Sequence, residues 1–308
     1  MIYSYLRYPG SKRRVLDILI PKFPDGIKDF REPFFGSGSV TIGFLQSPKA
    51  KDCTKVVVGD LYTELWAFWV AVQKNPQRVK ELVYHYMEQI CPTKKIIMST
   101  PKEESEAYTK LYEQSILEAR TLWDWTQKVE CEKMTLEERA ARFAIVNRIS
   151  FSAMGDSGSL SKDRFSEFNP VDIEKIDGLS ELLARVEILN ETFQVTMSNV
   201  TKDSFIFLDP PYARQEESGL YGRGGNTHKG FPHKELADLC KTLECPWLMT
   251  YDDSVIVRQL YQGCLLTPFS FQYTMAKKAA EDALAGEELL ISNYYSDEDD
   301  ADIDLSDI

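Results

Sequence analysis

Asp209 is followed at once by Pro210, Pro211 and Tyr212. A carboxylate, a prolyl carbonyl and an aromatic face within four residues can accept the hydrogens of a planar amino group and stack on the ring that carries it. The five residues before them, Ser204 to Leu208, are apolar or small and predict a buried parallel strand. The two prolines end that strand immediately after the acid. Asp209 and the Pro210 carbonyl are thereby expected at the carboxyl edge of a sheet, where open α/β sheets bind their ligands.

Two further stretches have the composition of a ligand cradle. Glu32-Pro-Phe-Phe-Gly-Ser-Gly38 supplies Gly36 and Gly38, suited to a tight strand-to-helix turn where backbone approaches a ligand closely. Lys55-Val-Val-Val-Gly-Asp60 is a short β-branched strand ending in an acid 22 residues beyond Gly38. That is close to the spacing at which an acid after the second strand of a nucleotide-binding fold reaches ribose hydroxyls. At the N-terminus, Tyr8-Pro9-Gly10-Ser11-Lys12 precedes the amphipathic run Val15 to Ile20. Backbone amides at Gly10 and Ser11, with the Lys12 ammonium, could receive a carboxylate there.

Together these motifs resemble the S-adenosylmethionine-dependent methyltransferases that act on amino nitrogens, whose signature is Asp/Asn-Pro-Pro-Tyr/Phe. The order of motifs resembles the Dam-like DNA adenine N6-methyltransferases. The resemblance implies an α/β fold, a Rossmann-like sheet with an inserted, mainly helical target-recognition region. It makes Asp209, Pro210 and Tyr212 catalytic. It puts S-adenosyl-L-methionine against Tyr8, Gly10, Ser11, Lys12, Phe34, Gly36, Ser37, Gly38, Asp60 and Asp209, with Phe34 near the sulfonium. Three positions depart from the family. Ser11 replaces a second glycine, so a positive φ there would be strained. Tyr62 stands where the family often has Asn, and Thr192 stands where relatives have an Asp that touches the cofactor adenine.

The elements that must carry these residues follow an α/β alternation that residues 91–169 interrupt. A helical pattern covers Leu61 to Gln89, and the polar insertion predicts helices around Glu104 to Trp125 and Leu136 to Ile149. The segment Asn147 to Phe165 resembles the family's Asn-Arg-x-x-Phe-x-Gly stretch. It carries Arg148, Lys162 and Arg164, which with Arg223 and Lys229 are the expected DNA-binding cations. The catalytic domain is thus expected over residues 1–90 and 170–295, closed by an antiparallel pair at Phe269 to Tyr273 and Glu288 to Tyr295. A glycine-rich stretch from Glu216 to Pro232 suggests a cover over the site. His228 and His233 lack a third ligand, and no metal is expected.

The net charge of −12 looks unsuited to nucleic acid, but seven of those charges lie in residues 296–308, read as a disordered acidic tail, which leaves −5 for the body. Six scattered cysteines without a Cys-x-x-Cys pair predict reduced thiols. With no apolar stretch of membrane length and no signal-peptide order, a cytoplasmic or nuclear location is expected, with no membrane partner. The expected partner is double-stranded DNA, whose adenine would be flipped out, and a cognate restriction endonuclease acting on the same site is an open alternative. Cytosine N4, RNA adenine, a protein glutamine amide and a binding-only role stay open as alternatives. Asp at position 209 favours adenine, and the long insertion favours a polymer.

Overall fold

A computed structural model describes residues 1–100, 105–151, 158–212, 230–270 and 287–296. Its centre is a seven-stranded sheet. The strands are β1 (Asp29–Glu32), β2 (Lys55–Gly59), β3 (Val186–Leu189), β4 (Ser204–Leu208), β5 (Trp247–Asp252), β6 (Leu265–Ser270) and β7 (Glu287–Ser292). They lie in the order β3-β2-β1-β4-β5-β7-β6. The first five are mutually parallel, and β7 runs antiparallel to both of its neighbours.

This order reverses between β1 and β4. From β1 the chain winds outward through β2 and β3, and from β4 it winds the other way to β5. The loops that leave β1 and β4 therefore diverge to opposite faces and open a crevice between them. The β1 loop carries Gly36 and Gly38, and the β4 loop carries Asp209. Every residue of β4 is buried, as its apolar composition predicts for a strand covered on both faces. Phe205 and Phe207 pack into one hydrophobic cluster, Ile206 and Leu208 into another. The alternation puts one helical layer on each face of the sheet.

Four local boundaries differ from the sequence expectations. The helical pattern at Leu61 to Gln89 is two helices, Thr63–Lys74 and Pro76–Ile90. Asn75 ends the first and caps the second by accepting from the Arg78 amide at 3.3 Å, with Pro76 at the first position of the new helix. A helix Pro92–Ser99 precedes the two expected insertion helices, observed as Glu106–Lys128 and Leu136–Ile149. The run after Lys12 begins as one 3₁₀ turn, Lys12–Val15, before a single helical turn, Leu16–Leu19. The antiparallel pair is β6 and β7, so β6 starts at Leu265 rather than Phe269.

Leu136–Ile149 packs across the helices Thr63–Lys74 and Pro76–Ile90, and Phe143 meets Phe68 and Tyr62. It begins with a reciprocal capping box between Thr135 and Glu138. Its core residues belong to the same cluster as Phe30 of β1 and Phe205 of β4. Residues 136–149 thus share one hydrophobic cluster with the sheet. No disulfide joins the six cysteines, five of which are buried and one, Cys264, half-buried. No helix among the described residues is long and apolar enough to cross a membrane.

Candidate active site

The β1 loop is built by glycine geometry. Gly36 (φ +47°) and Gly38 (φ +69°) both occupy the left-handed region. A Cβ on Gly36 would lie 3.2 Å from the Tyr8 ring, and the Gly36 carbonyl accepts from the Trp69 indole at 3.0 Å. Gly38 is the N-cap of the helix Ser39–Leu45 and has no side chain to cap it. Glu32 performs that task from the end of β1: its Oε2 accepts from the Thr41 amide at 3.0 Å and from the Thr41 hydroxyl. Burial pushes the Glu32 carboxyl up to about 8, against the opposing effect of those two hydrogen bonds.

Gly38 does not itself line the cleft. A Cβ there would meet Phe35 at 2.8 Å and Trp69 at 3.2 Å, so its place is in the packing behind the loop. Gly38→Ala is expected to destabilise the protein by about 2 to 4 kcal/mol, combining left-handed strain with overpacking. Gly26 (φ +73°) has nothing within 4 Å of its would-be Cβ and isolates the first effect. Gly26→Ala should then cost only about 1 kcal/mol. Urea unfolding of the two variants measures the difference, and equal losses would refute the packing role.

Asp60, at the end of β2, turns toward the same loop. Its Oδ2 accepts from the Gly36 amide and its Oδ1 from the Tyr62 amide, each at 2.9 Å. Burial raises its carboxyl, and the two amide bonds act against that rise. Ser11, Ser37 and Ser39 bring three hydroxyls together, with oxygens 2.8 to 3.1 Å apart. Ser11 has φ −52°, and the left-handed residue of that segment is Gly10 at φ +75°. The strain expected at Ser11 is therefore absent: the turn uses one glycine, and the serine occupies an ordinary conformation.

Lys12 also differs from expectation. Its ammonium is buried and lies 2.7 Å from Asp209 Oδ1 and 2.8 Å from Oδ2, with a third bond to the Gly10 carbonyl at 3.1 Å. The carboxylate docked on Lys12 is the chain's own Asp209. On the far side, the buried Thr250 hydroxyl of β5 donates to Asp209 Oδ1 at 2.7 Å. Tyr212 is nearly buried, stacked on Tyr251 with centroids 5.9 Å apart, and the Lys12 ammonium lies 5.2 Å from its ring centroid. Phe34 meets Phe193 at 5.9 Å and Phe231 at 5.6 Å, so one wall is a three-ring aromatic cluster.

One cleft is lined by Tyr8, Gly10, Ser11 and Lys12, by Phe34, Gly36, Ser37 and Asp60, and by Asp209, Pro210 and Tyr212. Every sequence-derived site residue outside the DNA-binding set, Gly38 excepted, thus meets at the β1/β4 crevice. Glu32, Ser39, Phe193 and Phe231 also line it but escaped selection from the sequence. Glu32 stood within the recognised loop, whereas Phe193 and Phe231 carried no local signal. Thr192 is on the cleft wall as well.

The cations expected to meet DNA are less uniform. Arg148 lies over the Tyr5 ring at 4.3 Å, Arg164 pairs with Glu167 at 2.7 Å, and Lys162 is exposed. Asn147 is tied to the Arg7 backbone in both directions, at 2.9 and 2.6 Å. Arg223, Lys229 and His228, the glycine-rich stretch up to residue 229 and the tail from residue 297 lie outside the described residues. His233 shares a hydrogen bond with the Tyr251 hydroxyl, and no cluster of three or more metal-binding side chains occurs among the described residues.

The pattern that defines the D12 class N6 adenine-specific DNA methyltransferases matches residues 8–279. The chain is 24% identical over 223 residues to Type II methyltransferase M.MjaIII of Methanocaldococcus jannaschii, covering 68% of this chain and 69% of that protein. It is 24% identical over 272 residues to a DNA adenine methylase of Haemophilus influenzae, covering 84% and 82%. A 218-residue match at 24% identity to the modification methylase StsI of Streptococcus sanguinis covers 68% of this chain and 29% of that longer protein. With the loop geometry of β1, the acid and prolines at the end of β4, and this match over most of its length, the chain belongs to the D12 class N6 adenine-specific DNA methyltransferases.

Proposed function

We propose that the β1/β4 crevice binds S-adenosylmethionine on its β1 side and a flipped adenine of double-stranded DNA on its β4 side, and that the chain methylates that adenine at N6. The observation that carries the reading is the position of Asp209-Pro-Pro-Tyr212 on the same cleft as the glycine loop and Asp60. The donor set fits the cofactor. An acid at the end of β2 suits a ribose diol, the Phe34 cluster suits a sulfonium or a purine face, and the serine hydroxyls suit a carboxylate.

When bound, the cofactor supplies an electrophilic methyl on sulfur. The protein's part is acceptance and orientation. Asp209 and the Pro210 carbonyl accept the two amino hydrogens, which draws the nitrogen toward tetrahedral geometry and frees its lone pair. Tyr212 supports the purine ring, and the cost of unstacking it, a few kcal/mol, is offset by these contacts. Most of the rate then comes from positioning and preorganised charge. Arg148, Lys162 and Arg164 stand as candidate phosphate contacts, and such contacts would make binding fall steeply with salt.

The test is transfer of labelled methyl to mixed-sequence duplex DNA, followed by nucleoside analysis. The expected product is N6-methyladenine. Label in N4-methylcytosine, in RNA or in protein would overturn the acceptor assignment. The names of the Methanocaldococcus and Streptococcus relatives favour a modification role with a cognate endonuclease. That role predicts that DNA methylated by this chain resists an endonuclease of the same host.

A further inference from the structure

We infer that Thr250 is a positioning residue for the methyl transfer, and that with Lys12 it decides which oxygen of Asp209 receives the adenine amino group. The inference rests on the acceptor role proposed for Asp209. Each carboxylate oxygen has two lone pairs. Oδ1 accepts the Thr250 hydroxyl at 2.7 Å and also lies 2.7 Å from the Lys12 ammonium as its ion-pair partner, so two donors crowd it. Oδ2 takes only Lys12, at 2.8 Å, among the described residues. Oδ2 therefore keeps the lone pair that an incoming amino hydrogen needs.

The geometry of Thr250 suits orientation. It is fully buried in β5, the parallel neighbour of β4, and Leu208 is in register with Met249. Asp209 and Thr250 each follow those partners by one residue, so the hydroxyl lies directly beside the acid. Its second acceptor, the Leu208 carbonyl, is 3.5 Å away, which leaves Asp209 as the better aligned partner. A β-branched side chain in a strand has few χ1 options, so the oxygen stays in place without a lock of its own. Lys12 supplies charge but hangs on a flexible stem. The short, stiff donor fixes the carboxylate plane, and the cation balances it.

The predictive variant is Thr250→Val, which keeps shape and burial but removes the donor. Losing one hydrogen bond to a charged group corresponds to a fall in kcat of about 10- to 100-fold. Dissociation constants for S-adenosylmethionine and for duplex DNA, measured by calorimetry, should stay within about twofold, as should the urea midpoint. Thr250→Ser restores the hydroxyl and should bring kcat back to within about threefold of wild type. A Thr250→Val enzyme with wild-type kcat overturns the inference alone. So does a Ser variant as slow as the Val variant, because packing rather than the hydroxyl would then matter. If the wild-type chain methylates no adenine in the parallel assay, the acceptor role of Asp209 falls, and the inference falls with it.

Discussion

Asp209→Ala is expected to lower kcat for adenine methylation by about 1,000-fold or more while cofactor binding persists. The loss follows from removing the charged acceptor that strengthens its hold on the amino group as positive charge builds on nitrogen. The same substitution should also weaken the fold. Lys12 is 3% exposed, and without Asp209 its ammonium keeps only the Gly10 carbonyl as a hydrogen-bond acceptor among the described groups, beside the Tyr212 ring. Breaking a buried pair from one side costs about 3 to 5 kcal/mol, at the lower end here because Asp209 is partly open to solvent. The variant Lys12→Met with Asp209→Ala removes the stranded charge and should recover most of that stability without recovering activity. Methyl-transfer rates and urea midpoints of the two variants separate chemistry from folding. Activity in the double variant above that of Asp209→Ala would contradict the acceptor role.

The second large effect concerns pH. The folded protein holds the Glu32 carboxyl up to about 8 by burial, against 4.5 for the free group. Below pH 4.5 the proton is present in folded and unfolded chains alike, so the full stability is available. As pH rises from 4.5 toward 8, the unfolded chain releases its proton and the folded chain retains it. Stability then falls by about 1.4 kcal/mol per pH unit from this group, a few kcal/mol in all, and levels off above pH 8. Asp60, raised by burial as well, contributes with the same sign. Glu32→Gln mimics the neutral form and still accepts from Thr41. It should flatten the decline between pH 5 and 8 and exceed wild-type stability at pH 8. Urea unfolding across that range measures it, and a variant with the wild-type slope would show that Glu32 is ionised in the fold.

The sequence alone pointed to most of the residues that line the cleft and to the buried parallel strands that end in Asp60 and Asp209. Ser204–Leu208 reads as a buried strand because a short run of apolar or small residues that prolines end just beyond Asp209 has few other stable uses. Gly36 and Gly38 read as a turn because only glycine takes left-handed backbone cheaply. Such signals are local: residue type and near spacing carry them. The packing of residues 136–149 is less legible, because helical periodicity shows that a segment has an apolar face but not what covers it. Leu136–Ile149 covers its face with the helices Thr63–Lys74 and Pro76–Ile90.

Tertiary structure alone decided the partners. Lys12 and Asp209 are 197 residues apart in the chain, and Thr250 lies another 41 beyond, yet the three meet in one ion-paired cluster. Phe34, Phe193 and Phe231 become one wall only when three separate segments of the chain converge at the crevice. Even Ser11 is decided this way: its neighbour Gly10 takes the left-handed turn, and the serine turns its hydroxyl to Ser37 and Ser39. A sequence specifies what each residue can donate, accept or bury, while the winding of β1 and β4 in opposite directions determines which of those capacities face one another.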